Sequence, residues 1–213
     1  LEIAKGELVT MMPSDDSWPE ERFTTQVPHM LDSGVILSFA KMNLIDEKDN
    51  IIGHSDPSLF SNNLSNFPNG NILQDLLINN FIGEPTILIK TDVLKKIGGY
   101  QQPNEMLAED YPTSLYLSCE GKFKFIDETL ANYRFHSSQM TRLHIVDMVL
   151  KDKEFVMQFF QGLHEEISGR SGYSYESLEK KWDEKISRSH FSLARRLAFI
   201  NKMSESRKNF YKS

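Results

Sequence analysis

A chain of 213 residues with 39% hydrophobic and 25% charged residues can bury a core and has the composition of an ordinary globular protein. The formal net charge of −6 argues against broad nucleic-acid binding, which needs a basic footprint. Cys119 is the single cysteine, so an intrachain disulfide and a thiolate metal cluster are excluded, which suits a reducing compartment. No apolar run reaches the length of a membrane span, and the first residues do not read as a signal peptide.

The elements are predicted in chain order. Leu1 to Lys5 reads as the end of a helix with Gly6 as its cap, which suggests a fragment of something longer. Leu8, Val9, Met11 and Met12 form a short apolar run, the mark of a strand covered on both faces. The strand runs out into Ser14-Asp15-Asp16. Ser17 and Glu20 have the spacing of a capping box, so a helix is predicted over 19–31, ended or kinked by Pro28. Asp15 and Asp16 then sit just past the C-terminal end of a strand, where open α/β sheets place their ligands. The plainer reading is a pair of solvated turn residues.

Val35 to Ala40 reads as a second buried strand that Met42, Leu44 and Ile45 continue or pair with. Residues 47–50 form a turn and Ile51 starts the return strand. A long loop follows over 54–71, then a helical stretch over 72–80. Residues 85–89 read as a third strand, and Thr91 or Asp92 caps a short helix that Gly98-Gly99 stops. Glu109-Asp110 opens the next helix and Gly121 closes it. Residues 123–126 and 130–135 are extended, running into His136. Beyond Thr141 the strands cease and amphipathic helices follow. The end of the chain is basic. A solvated packing face is the plainer reading there, and peripheral association with a membrane surface the sharper one.

Ser14-Asp15-Asp16, then Gly98-Gly99-Tyr100, Glu109-Asp110 and Tyr133-Arg134-Phe135-His136 occur in an order that resembles the family 2 glycosyltransferases. The resemblance covers residues 1 to about 141. It implies an α/β fold: the C-terminal part of a GT-A domain, with a Rossmann-like mixed sheet, over 1–141, then an α-helical extension over 142–213. It implies metal-dependent, inverting transfer of a sugar from a nucleotide-sugar donor, a UDP-sugar, to a glycan or lipid-linked acceptor in cell-surface polysaccharide synthesis. The setting implied is cytoplasmic, at the inner face of a membrane.

By the same resemblance Asp110 is the catalytic base. Asp15 and Arg134 contact the donor nucleotide, and Asp16 with His136 holds Mn²⁺ or Mg²⁺. Read from the residues themselves, Glu109, Trp18 and Gly99 are placed on the acceptor side, Trp18 as a ring that could stack on a sugar or nucleotide and Gly99 through the backbone of a helix stop. Two departures are evident. Pro13 stands where many members carry an aspartate, and the family's first strand and base-binding loop have no counterpart here. The competing reading is therefore a non-catalytic fragment or acceptor-binding module. Taken without the resemblance, Asp110 is an N-cap, Arg134 an ion-pair partner and Trp18 packing. A phosphoryl or nucleotidyl transferase would call for a Gly-rich phosphate loop, which the sequence lacks.

Overall fold

The computed structural model describes residues 1–60, 69–70, 72–103, 106, 108–136, 145–199 and 202–213. The chain divides into two compact units, Leu1–Gln102 with Ala108–Ser137, and Pro103–Leu107 with Ser138–Ser213.

The first unit is built on one long strand. β1 is Leu8–Val9, β2 Val35–Ile45, β3 Ile51–Ser55, β4 Asn69–Gly70, β5 Leu88–Lys90 and β6 Lys122–Arg134. The sheet order is β1-β5-β2-β6-β4, with β3 also on β2. β2 and β6 run parallel from Val35–Lys122 to Ile45–Arg134, and all other pairs are antiparallel, so the sheet is mixed. β2 can serve both neighbours because its first half meets β5 through Leu37 and Ser38, and its second half meets β3 through residues 42–45. Its apolar run is buried from Val35 to Ala40, with Leu37 and Phe39 fully covered. Phe39 packs against Phe81 and Phe125.

The helices of this unit are α1 Arg22–Gln26, α2 Leu73–Leu76, α3 Thr91–Lys96 and α4 Asp110–Glu120, with 3₁₀ turns at Val27–Leu31, Pro57–Phe60 and Glu84–Thr86. Leu76, Leu94 and Leu115 anchor α2, α3 and α4 in the core. The loop expected over 54–71 falls partly outside the described residues.

Several expectations are corrected. The run at Leu8–Val9 is a two-residue, half-buried strand at the end of the sheet, not a central strand, and Met12 is 51% exposed. It bonds to β5 alone, so the apolar run reflects only partial cover. Residues 1–5 hold a turn, Ala4 N–H to Leu1 C=O, not a helix. Ser17 is no helix cap: its N–H donates to Asn132 C=O at 3.1 Å and the Asn132 N–H donates back at 2.8 Å. The helix begins only at Arg22, and the expected 19–31 helix changes to 3₁₀ geometry at Val27, with Pro28 in its first turn. Gly121 does not close α4 in a left-handed conformation but is extended, at φ −178. Glycine is needed there because a Cβ would lie 2.7 Å from Ile36 Cγ2.

In the second unit, α5 Ile145–Gly162, α6 Glu165–Arg170, α7 Tyr175–Phe199 and α8 Met203–Phe210 follow one another. Trp182 is fully buried, and the Lys185 ammonium lies 4.1 Å from its ring centroid. That burial pushes the Lys185 amine down to about 8, against the pull of Asp152. Phe210 and Tyr211 are exposed beside Arg207, Lys208 and Lys212. Among the described residues no helix is long and apolar enough to cross a membrane.

Candidate functional site

Two strands deliver one rim. β2 and β6 are parallel, so their C-terminal ends lie together, with the 46–50 turn after one and His136 after the other. The Ser17–Asn132 bridge ties the Asp15-Asp16 turn to the same end of β6.

Arg134 fastens this corner. Its Nε donates to the Asp15 carbonyl at 2.8 Å, Nη1 to the Asp46 carbonyl at 2.8 Å and Nη2 to Asp49 Oδ1 at 2.6 Å. The turn it grips is bonded internally. Asp46 Oδ1 accepts the N–H groups of Lys48 and Asn50, and Asp49 takes φ +64. The Asn50 side-chain amide, which donates to both Asp46 oxygens, and then those backbone N–H groups hold the Asp46 carboxyl below the usual carboxylate range. The structure thus gives Arg134 the ion-pair and carbonyl contacts that the residue-level reading allowed.

Asp16 is 7% exposed. Its Oδ1 accepts the Arg134 backbone N–H at 2.8 Å, and its Oδ2 is buried with no hydrogen-bond partner. Burial is the main reason its pKa rises from 3.8 to about 6; the Arg134 N–H opposes the rise and Asp15 adds to it. Asp15 Oδ2 lies 3.0 Å from His136 Nε2. His136 therefore pairs with Asp15. Among the described residues no group of three or more His, Cys, Asp or Glu side chains is arranged to hold a metal ion. Asp16 Oδ2, buried and without a hydrogen-bond partner, is the oxygen here that could meet a hard cation.

Asp110 opens α4, and its Oδ2 accepts the Asn80 amide at 2.9 Å. Tyr111 fixes this end of the helix by donating its hydroxyl to Leu76 C=O at 2.7 Å. Burial pushes the Asp110 carboxyl up, against the Asn80 amide and backbone N–H groups at the helix start. Glu109 stands at the N-cap position without a side-chain cap bond. Gly99 has φ +96 and its N–H closes α3 onto Leu94 C=O, so its observed work is to end a helix.

Trp18 is placed by packing. Its indole N–H donates to Pro85 C=O at 2.9 Å, and the Arg22 guanidinium sits 3.8 Å from the ring centroid. Arg22 itself is fully buried. It donates to Gln26 Oε1, Thr10 Oγ1 and Ile87 C=O, while Nη1 has no partner, and burial pulls its pKa down to about 10. Arg22→Ala is expected to lower stability by about 3 kcal/mol, from lost packing and orphaned acceptors. Arg22→Met is expected to cost less, about 1–2 kcal/mol, because it keeps volume and removes the buried charge but still leaves those acceptors without their donor. Urea unfolding midpoints of the two variants check this.

The sequence reading missed Glu84. It begins the 3₁₀ turn before β5 and is half-buried. Its pKa is pushed up to about 7, first by burial and then by the negative charges of Asp110, Glu109, Asp16 and Asp15. Glu84 is thus acted on by both acidic pairs, which lie 94 residues apart from Asp16 to Asp110. The only sequence signal was a carboxylate between Gly83 and Pro85 in an apolar stretch.

No protein-family model matches the sequence, and no curated protein matches it. Solved structures do match. The crystal structure of S. aureus TarS 1–349 in complex with UDP-GlcNAc superposes with a TM-score of 0.54 at 12% identity, covering 98% of this chain and 68% of that one. A second crystal structure of S. aureus TarS 1–349 gives 0.49 at 15% identity, over 93% and 51%, and its complex with UDP gives 0.44 at 14%, over 98% and 67%. The chain spans about half to two thirds of the length of these structures. The first match establishes the fold class: a mixed α/β, glycosyltransferase-like fold.

Proposed function

We propose that this chain belongs to an inverting, metal-dependent glycosyltransferase of the family 2 type that transfers a sugar from a UDP-sugar to a glycan or lipid-linked acceptor. One observation carries the reading: Asp15-Asp16 and Glu109-Asp110 converge electrostatically on Glu84, on a fold shared with a structure that holds UDP-GlcNAc. Inverting transfer is a single displacement at the anomeric carbon. As the acceptor oxygen bonds to that carbon, its proton goes to Asp110 and the bond to the nucleoside diphosphate breaks. Asp16, through its unpartnered Oδ2, would hold Mn²⁺ or Mg²⁺, which when bound supplies positive charge for the departing diphosphate. Arg134 keeps the Asp15-Asp16 turn in place through the Asp15 carbonyl.

The second reading is a binding module that does not turn over alone. Calorimetry with UDP decides between them. The enzyme reading expects binding that needs Mn²⁺ or Mg²⁺ and weakens at least about tenfold, about 1.4 kcal/mol, when the metal is chelated. No UDP binding with metal present leaves the second reading.

A further inference from the structure

Residues 187–213 carry seven Lys or Arg and one acid, Glu205, a net charge of +6 in a chain whose total is −6. The other 186 residues therefore carry −12. Charge divided in this way within one chain marks a surface that meets an anionic partner.

The fold gathers these cations on one face of the second unit. α7 and α8 run antiparallel, held by polar pairs along their seam. The Ser206 hydroxyl donates to Ala194 C=O at 2.8 Å, His190 Nδ1 lies 3.0 Å from Asn209 Oδ1, and the Ser187 hydroxyl donates to Ser213 C=O. Ser206, Ala194 and His190 are buried along it. With about 100° of turn per residue, α8 then presents Arg207, Phe210 and Tyr211 at i, i+3 and i+4. Tyr211 belongs to this face because it keeps helical backbone angles past the last residue of α8. α7 presents Arg188, Phe191 and Arg195 at i, i+3 and i+7. All six are exposed.

Phe191 and Phe210 meet across the seam, their ring centroids 5.9 Å apart. They are 43% and 58% exposed, and Tyr211 beside them is 86% exposed, so three rings form one open apolar patch. Cations surround it. Glu184 engages Arg188 at 3.3 Å and Glu205 engages Lys202 at 3.8 Å. Among the described residues no carboxylate pairs with Arg195, Arg207, Lys208 or Lys212.

We propose that this face of α7 and α8 docks on an anionic lipid bilayer. Phe191, Phe210 and Tyr211 enter the headgroup boundary, and the guanidinium and ammonium groups around them meet lipid phosphates. The combination selects the partner. Cations alone would suit any polyanion. Phe191 and Phe210 lean on one another as a single patch, whereas single-stranded nucleic acid stacks on separate open ring faces. A second copy meeting the same face would set +6 against +6. The inference does not rest on the glycosyltransferase reading, because its test needs no turnover.

The test is co-sedimentation of the full chain with phosphatidylcholine vesicles, with and without about 30% phosphatidylglycerol. Binding is expected on the anionic vesicles alone, and to weaken at least about tenfold between about 0.05 and about 0.5 M salt. Lys208→Glu with Lys212→Glu is expected to lower it at least about 20-fold, since each cation near an anionic surface strengthens partitioning about fivefold. Lys48→Glu with Lys122→Glu makes the same change in net charge on exposed lysines of the first unit, and is expected to stay within about threefold of the wild type. Phe210→Ser with Tyr211→Ser is expected to lose about tenfold and to keep the salt dependence.

Phe210→Trp reads insertion directly and needs no loss of binding: its fluorescence is expected to be quenched by bromine-labelled acyl chains in anionic vesicles. Equal binding to neutral vesicles, no binding at low salt, binding that survives the Lys208→Glu and Lys212→Glu pair, or an unquenched Phe210→Trp overturns the proposal. So does tighter binding of a single-stranded oligonucleotide at the same salt, or a dimer in sedimentation equilibrium that the same lysine pair dissolves.

Discussion

Asp110→Asn is expected to lower sugar transfer by about 10²- to 10⁴-fold, the range over which a positioned general base contributes. The acceptor hydroxyl is a very weak acid, and its proton must leave as the new bond forms. The amide has the same shape as the carboxyl but does not accept that proton. Its oxygen can still take the Asn80 N–H that now goes to Asp110 Oδ2 at 2.9 Å, so the start of α4 is kept. The variant also removes a carboxylate that burial penalises, so its melting temperature should hold or rise. UDP affinity should not change. Steady-state kinetics with donor and acceptor in excess, read beside a melting curve, give the result. Full activity in a well-folded variant would make Asp110 a helix-start residue whose charge only complements the α4 dipole.

Much of this arrangement is legible in the sequence. Apolar runs at 35–40 and 123–126 predict the two strands that become the parallel pair β2 and β6. Gly98-Gly99 predicts the stop of α3, and Glu109-Asp110 the start of α4. What misleads is local chemistry that a distant partner overrides. Ser17 has the right spacing for a capping box, but Asn132, 115 residues away, takes both its backbone groups and its hydroxyl. Leu8 and Val9 look central because their composition carries no record of how many strands flank them.

The site divides in the same way. The acidic pairs are visible as pairs because each is contiguous in the chain. Arg134 looks like a phosphate ligand, yet its reach to Asp46, Asp49 and Asp15 depends on the register of β6 against β2. Glu84 is invisible because its character comes wholly from surroundings. Nothing in Gly-Glu-Pro marks a carboxyl that burial, and then four acids, push up to about 7.

Asp16→Asn is expected to abolish the metal-dependent part of UDP binding while making the protein more stable at pH 7. The carboxyl is raised from 3.8 to about 6 in the folded chain. A raised acid favours folding most below its unfolded value, and that advantage is lost as pH climbs through the folded one. At pH 7 Asp16 is ionised and buried, with only one of its oxygens partnered. The rise corresponds to about 3 kcal/mol. Water near the turn and the cost of a buried amide N–H reduce the expected gain to about 1–2 kcal/mol. Urea unfolding at pH 7 and at pH 3.5 gives the sign: the gain should be present at the first and gone at the second. Adding Mn²⁺ with UDP should stabilise the wild type and leave the variant unmoved, because a ligand that binds only the folded state raises its stability. A carboxylate retained at a net cost to folding is what a site that must meet a cation requires. A variant that gains no stability, or still responds to metal, would remove Asp16 from that role.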